Sequence, residues 1–169
     1  MRGKGASLAA IEAVYREGFE RFATVAVAIV GSQAAARDAV QEAFVLAVRQ
    51  RDRFRGDGSL EGWLWRTVVN EARTQRRRAS ARPRLEGEAG RRWLDIDPEP
   101  GLDGEIGALV ALLPERQRIA VFLRYYADLS YEQIAEALGI SKGTVAATLS
   151  TAHRTLRLQL EEVVPWTSR

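Results

Sequence analysis

The sequence predicts an all-α protein made of two small helical domains joined by an acidic linker. Three observations predict it. Apolar residues recur at helical spacing along most of the chain and nowhere alternate as they do in a strand. Between Arg73 and Glu105 the charge reverses, six arginines without an acid up to Arg84 being followed by seven acids against only Arg91 and Arg92. Near the C-terminus, Leu129 to Leu158 carries the punctuation of two short helices meeting at a tight corner.

Composition sets the bounds. With 169 residues, 46% of them hydrophobic, the chain has enough apolar surface for one medium core or two small ones. It has no cysteine, which excludes disulfides and thiolate metal sites, and the single histidine, His153, cannot form a histidine cluster. No metal or other cofactor is expected. Val25 to Val30 is too short an apolar run to span a membrane, and MRGKGAS at the start lacks the apolar region of a signal peptide. A cytoplasmic protein without membrane insertion is expected. A net charge of +3 permits a nucleic-acid partner without requiring one.

In chain order, Leu8, Ile11, Tyr15, Phe19, Phe22, Ala26 and Ile29 predict a long first helix, opened at Ser7 and closed at Gly31. Ser32 then caps a second, about Gln33 to Gln50, with Val40, Ala43, Phe44, Ala47 and Val48 inside. Arg51 to Gly58 has no helical period and reads as a loop. Ser59 caps a third helix to about Arg78, with Leu60, Trp63, Leu64, Thr67, Val68 and Ala72 along its inner side. These three form a first domain, 7–78. The segment 79–103, with Pro98 and Pro100, is too long and aperiodic for a loop within one compact domain and is expected to be a linker.

The second domain, 104–163, opens with a stripe of Ile106, Leu109, Val110 and Leu113. Pro114 suits the first turn of the next helix, whose inner positions are Ile119, Phe122, Leu123 and Tyr126. Ser130 and Gln133 make a capping box for a short helix with Ile134, Ala135 and Leu138 on its apolar stripe. Gly139 fits a left-handed helix end, Ile140 plugs the corner, and Ser141 caps a last helix carrying Val145, Leu149, Ala152 and Leu156. This is a helix-turn-helix whose second helix is a candidate major-groove reader; the alternative is an ordinary αα-hairpin.

Binding is expected rather than catalysis. Acid pairs such as Glu161 with Glu162, or Asp95 with Asp97, lie on helix ends and linker and do not converge, and no Walker loop, G-x-S-x-G or HExxH occurs. No enzyme activity is expected. The first domain instead combines cations with flat side chains: Arg51, Arg53, Phe54 and Arg55 in the loop, then Trp65, Arg66, Asn70, Arg73, Arg76 and Arg77 on the third helix. Such a mixture suits single-stranded nucleic acid, cations along the backbone and rings for unstacked bases. Trp63 is expected in the core, and Trp65, on another face, exposed.

These residues resemble the bacterial RNA polymerase sigma factors, specifically the extracytoplasmic-function (ECF) group that keeps only regions 2 and 4. Asp38 to Phe44, DAVQEAF, resembles the family's D-x-V-Q-E-x-F segment, Trp63-Leu64 followed by Asn70 its W-L-x-x-x-x-x-N helix, and Leu113 to Arg118, LPERQR, the start of region 4. The resemblance covers nearly the whole chain. It implies that Asp38, Gln41, Glu42 and Phe44 bind core RNA polymerase at its largest subunit, with Phe44 alternatively in the core. It implies that the basic loop and third helix open the minus-10 element and hold its single strand. Region 4 would bind the second-largest subunit and read the minus-35 element as duplex through Ser141, Lys142, Thr144, Ala147, Thr148, Thr151, Arg154 and Arg157. An anti-sigma factor is a further implied partner.

Two elements about 25 base pairs apart are roughly 85 Å apart at 3.4 Å per pair, whereas a free 25-residue coil averages about 25–30 Å. The linker's contour of about 80–90 Å nearly spans the gap. The polymerase surface is therefore expected to hold it extended, its acids facing a positive channel or simply solvent.

The reading helix departs from the family. Where G-T-V is usually followed by K/R-S-R and another cation one turn on, Gly143-Thr144-Val145 is followed by Ala146, Ala147, Thr148 and Thr151. Arginine to guanine is the commonest specific contact, so base readout is expected to be weak, with Lys142, Arg154 and Arg157 suited to phosphates. His153 is expected to be an exposed helix residue. Two alternatives follow from that departure: a sigma-like mimic or adaptor that binds an anti-sigma factor or polymerase without reading promoters, and a duplex-only helix-turn-helix regulator.

Overall fold

The structure, a computed structural model, describes residues 5–81 and 105–163, apart from the side chains of residues 105, 106, 162 and 163. Most of the expected linker, with Asp95 and Asp97, lies outside the described residues, as do the side chains of Ile106 and Glu162. Seven α-helices and one 3-10 turn, with no strand, make up the described residues. The all-α expectation holds.

Local chemistry sets the helix ends. The Ser7 hydroxyl accepts the Ala10 N–H to start α1 (Leu8–Val30), which stops at Gly31 in the left-handed region, φ 79°. Ser32 accepts the Ala35 N–H and starts α2 (Gln33–Arg49), so α1 and α2 form a tight antiparallel pair. After a 3-10 turn over Arg51–Arg53, the Ser59 hydroxyl accepts the Gly62 N–H at 2.9 Å and opens α3 (Leu60–Ala81). α3 thus continues three residues past Arg78. The three helices bury Phe22, Val25 and Ile29 against Val40, Ala43 and Ala47, with Leu64, Val68 and Ala72 completing the core.

The two tryptophans exchange the places expected of them. Trp65 is 0% exposed and lies on Phe22, ring centroids 4.0 Å apart. Trp63 is only half-buried and meets Phe54 at the surface. Two residues separate them by about 200° around the helix, so one position forces the other. The inner stripe runs through Val69 rather than Thr67, because α3 is covered by α1 and α2 on one side and by α6 on another.

In the second bundle, α4 (Glu105–Ala111) leads through Leu113 to Pro114, which occupies the N-cap of α5 (Glu115–Tyr125). Ile119, Phe122 and Leu123 are buried, and Tyr126 stacks on Phe122 at 4.9 Å. Ser130 and Gln133 form both arms of the capping box on α6 (Tyr131–Leu138), and Gly139 ends it at φ 65°. Ser141 accepts the Thr144 N–H at 3.1 Å to start α7 (Lys142–Val163), which buries Val145, Leu149 and Ala152.

The bundles touch along α3 with α6 and α1 with α5, and their buried residues form one continuous apolar cluster. Arg118, 5% exposed, crosses this contact. Its Nε donates to Ala28 O in the last turn of α1 at 2.9 Å, and an Nη donates to Leu113 O at 2.8 Å. A guanidinium suits such carbonyls because helix C-termini carry partial negative charge and unpaired acceptors. Burial lowers its pKa, the Glu115 carboxylate opposing that shift.

Candidate nucleic-acid and polymerase interfaces

The outer face of α2 presents Asp38, Gln41 and Glu42 to solvent. Phe44 does not join them. It is buried, edge-on to Tyr15 at 4.9 Å and to Phe22 at 5.2 Å, so it packs the core, the alternative its motif left open, and offers no surface to the polymerase. One turn beyond Gln41 and Glu42 lie Val45 and Leu46, 45% and 37% exposed. Two aliphatics on the open side of a helix, four residues after two polar ones, form a mixed patch that i, i+4 spacing alone reveals.

The basic loop is anchored at its start. Arg51 O accepts the Ala6 N–H at 3.0 Å, and the Arg51 guanidinium donates to Val48 O at 3.2 Å, closing the C-terminus of α2. Arg53 and Arg55 are exposed on either side of Phe54, whose ring centroid lies 5.7 Å from that of Trp63. Next to this pair, α2 and α3 enclose an open groove of about 320 Å³ lined by Leu46, Gln50, Trp63, Arg66, Thr67 and Asn70, among others. Its walls combine a flat ring, an amide and a guanidinium. Trp65 lies outside it, buried on Phe22, so its expected exposure does not hold, and the tryptophan at the groove is Trp63.

Farther along α3, Arg66, Asn70 and Arg77 are exposed, whereas Arg73 and Arg76 both pair with Glu115 of α5, Arg73 Nε at 3.4 Å. No sequence pattern predicted that pairing, since it joins two helices separated by the linker.

At the helix-turn-helix, Lys142 is paired with Glu132, a bond that holds the Glu132 carboxyl below the usual carboxylate range. Ser141 Oγ lies 2.8 Å from Thr144 Oγ1. Thr148 and Thr151 donate their hydroxyls to Thr144 O and Ala147 O at 2.7 and 2.9 Å, which leaves oxygen lone pairs and methyls for a ligand. Ala147 is exposed beside them. Arg154 and Arg157 are exposed in a groove with Tyr131, Ser150 and His153. His153 is exposed as expected and hydrogen-bonded to Tyr125 Oη at 2.8 Å.

Comparison with known proteins supports one family. Residues 14–82 match Sigma-70 region 2, and residues 103–156 match Sigma-70, region 4. The RNA polymerase sigma-H factor of Pseudomonas aeruginosa is 31% identical over 144 residues, 76% of this chain and 75% of that one. The ECF RNA polymerase sigma-E factor of Escherichia coli K12 is 32% identical over 142 residues, 75% and 74% of the two chains. The chain belongs to the ECF sigma factors. It directs transcription initiation by RNA polymerase, and region 4 is a DNA-binding part of this sigma factor.

Two solved structures share the sigma factor's fold. The sigma factor RpoE bound to the anti-sigma factor NepR, from Bartonella quintana, superposes with a TM-score of 0.69 at 21% identity, covering 91% of this chain and 98% of that one. CnrH bound to the cytosolic domain of CnrY gives 0.67 at 20%, covering 93% and 91%. Among the described residues no helix of the sigma factor is long and apolar enough to cross a membrane.

Proposed function

We propose that this sigma factor binds core RNA polymerase through the exposed α2 face, Asp38, Gln41 and Glu42 with Val45 and Leu46, and holds the minus-10 single strand in the groove between α2 and α3. The carrying observation is that groove: Trp63 supplies a ring, Arg66 a cation and Asn70 an amide at one concave surface that also holds Glu71, while Phe54 meets Trp63 from the adjoining loop, where Arg53 and Arg55 are exposed. Base stacking needs a ring, strand tracking needs cations, and both are present within one turn of α3. Arg51, engaged with the end of α2, contributes charge more than contact. Arg73, Arg76 and Arg77 extend the cationic track along the helix.

Region 4 engages the polymerase's second-largest subunit and places α7 in the minus-35 major groove. Lys142, Arg154 and Arg157 take phosphates there, Ser141 and Thr144 line the helix start, and the methyls of Ala147, Thr148 and Thr151 meet base edges. With no arginine at the reading positions, much of the selectivity comes from DNA shape and methyl contact. The working division of the chain is region 2 over 7–81, to the end of α3, linker over 82–103 and region 4 over 104–163. The two similar solved structures are complexes with NepR and with CnrY, which supports an anti-sigma partner for this chain too.

Run-off transcription with purified core polymerase on a genomic promoter library tests the reading. Specific initiation is the expected result. Wild-type initiation by a chain carrying both Trp63→Ala and Arg66→Ala would overturn the groove assignment.

A further inference from the structure

Gly5 and Ala6 precede the first helix, yet they are seated against the start of the basic loop. The Ala6 N–H donates to Arg51 O at 3.0 Å, and Ala6 is buried in the core of region 2. A Cβ added at Gly5 would stand 2.8 Å from Arg51 O and 2.8 Å from Asp52 Cα. Both are backbone atoms, which cannot swing aside as the end of a side chain can, so this close approach needs glycine. Arg51 O also accepts the Phe54 N–H at 3.2 Å. One carbonyl therefore receives both the strap of Gly5 and Ala6 and the residue whose ring meets Trp63 at 5.7 Å. The rest of the loop has little to hold it: Phe54 alone among residues 51–59 is not exposed. Among the described residues, Ala6 makes the one backbone hydrogen bond to residues 51–58 from a distant part of the chain. A loop without such a tie has to be ordered when a ligand arrives, at the expense of affinity.

We propose that Gly5 and Ala6 are positioning residues of the single-strand site: seated on Arg51 and Asp52, they fix the 3-10 turn so that Phe54, flanked by Arg53 and Arg55, stands beside Trp63 before the strand arrives. The inference rests on the proposed strand-binding role of this loop and groove. Gly5 and Ala6 need touch no nucleotide, since their effect passes through Arg51 O to Phe54. The exposed Asp38, Gln41 and Glu42 of α2 take no part in it, so polymerase binding is independent of the strap.

The test measures binding of a fluorescent single-stranded oligonucleotide to the full chain by anisotropy, and binding to core polymerase by competition, for wild type, G5A, G5V, F54A and the G5A/F54A double variant. A9V, at an exposed position of α1, controls for added bulk near the N-terminus. G5A and G5V are expected to weaken oligonucleotide binding alike, by about five-fold, the worth of one net hydrogen bond. They should act alike because the first added carbon already meets the Arg51 and Asp52 backbone. Polymerase binding should stay at the wild-type level in both, and A9V should match wild type throughout. Hydrogen exchange at the Phe54 amide, followed by NMR, should quicken in G5A, and G5A should cost little more once F54A has removed the ring, as for two residues acting through one contact. Wild-type oligonucleotide binding by G5A, or unchanged exchange at Phe54, would overturn the positioning role. So would an equal fall in strand and polymerase binding, which would mark a general loosening of region 2. If instead F54A itself bound the oligonucleotide as wild type does, the strand-binding reading of the loop would be the part that failed, and the inference with it.

Discussion

The Trp65 indole lies on the Phe22 ring, planes tilted by 35° and centroids 4.0 Å apart, and its Nε1 reaches Glu61 Oε1 at 3.4 Å. This contact joins α1 to α3 at the centre of region 2, while Trp63, two residues earlier, stands at the edge of the groove. The same residue type therefore has two separable roles. Trp65→Ala is expected to cost about 3–5 kcal/mol, the range for truncating a buried aromatic. Trp63→Ala should cost about 1 kcal/mol or less in stability while weakening single-strand binding by about 1–3 kcal/mol. Thermal unfolding and oligonucleotide anisotropy on both variants decide it; a Trp63→Ala chain that binds normally would remove the ring from the site.

That exchange also marks how far the sequence could be read. The helix starts at Ser7, Ser32, Ser59, Ser130 and Ser141 and the ends at Gly31 and Gly139 were legible because a cap is a contact between residues three or four apart. The choice between Trp63 and Trp65 was not, because it depends on which neighbours cover α3, and one of them, α6, comes from the other side of the linker. The same reason hid the pairing of Glu115 with Arg73 and Arg76 and the role of Arg118. Phe44 was legible only as an alternative, since D-x-V-Q-E-x-F does not say which of its members face inward.

Arg118 supports both bundles at once. Truncation to alanine would leave the carbonyls of Ala28, Ala111 and Leu113 without its bonds and open a void between α1 and α5. The expected loss is about 2–4 kcal/mol, from buried acceptors losing partners and from lost packing. Arg118→Lys should recover only part of it, because an ammonium cannot reproduce the planar fork. Denaturant unfolding monitored by tryptophan fluorescence checks the order wild type, lysine, alanine; a lysine variant equal to wild type would show that charge alone matters there.

The reading helix offers a gain-of-function test. Thr148 and Thr151 now turn their hydroxyls back onto the helix. Thr148→Arg would restore a cation where the family usually has one. Duplex affinity should rise, with a salt dependence steeper by about 0.9 in the log–log slope for one added phosphate contact. If the arginine instead reads guanine, the gain will be confined to particular sequences and amount to about 1–3 kcal/mol between matched and mismatched base pairs. A binding-site selection with both chains separates the two outcomes, and an unaltered profile would mean that position 148 does not face the groove.

The α2 patch can be tested without disturbing the core, because Val45 and Leu46 are exposed while Phe44 between them and Ala43 is buried. Val45→Asp places a charge on an open helix face, where the stability cost is expected to stay within about 0.5 kcal/mol. A charge desolvated against a partner is far more costly. Binding to core polymerase should therefore fall by at least tenfold, about 1.4 kcal/mol, in a chain that unfolds at nearly the wild-type temperature. Gln41→Ala should weaken binding less, since it removes a polar contact without burying a charge. Phe44→Ala should show the opposite pattern, a large loss of stability from a void between Tyr15 and Phe22. Competition for core polymerase against a labelled wild-type chain measures all three, and Val45→Asp competing as well as wild type would place the polymerase contact elsewhere on region 2.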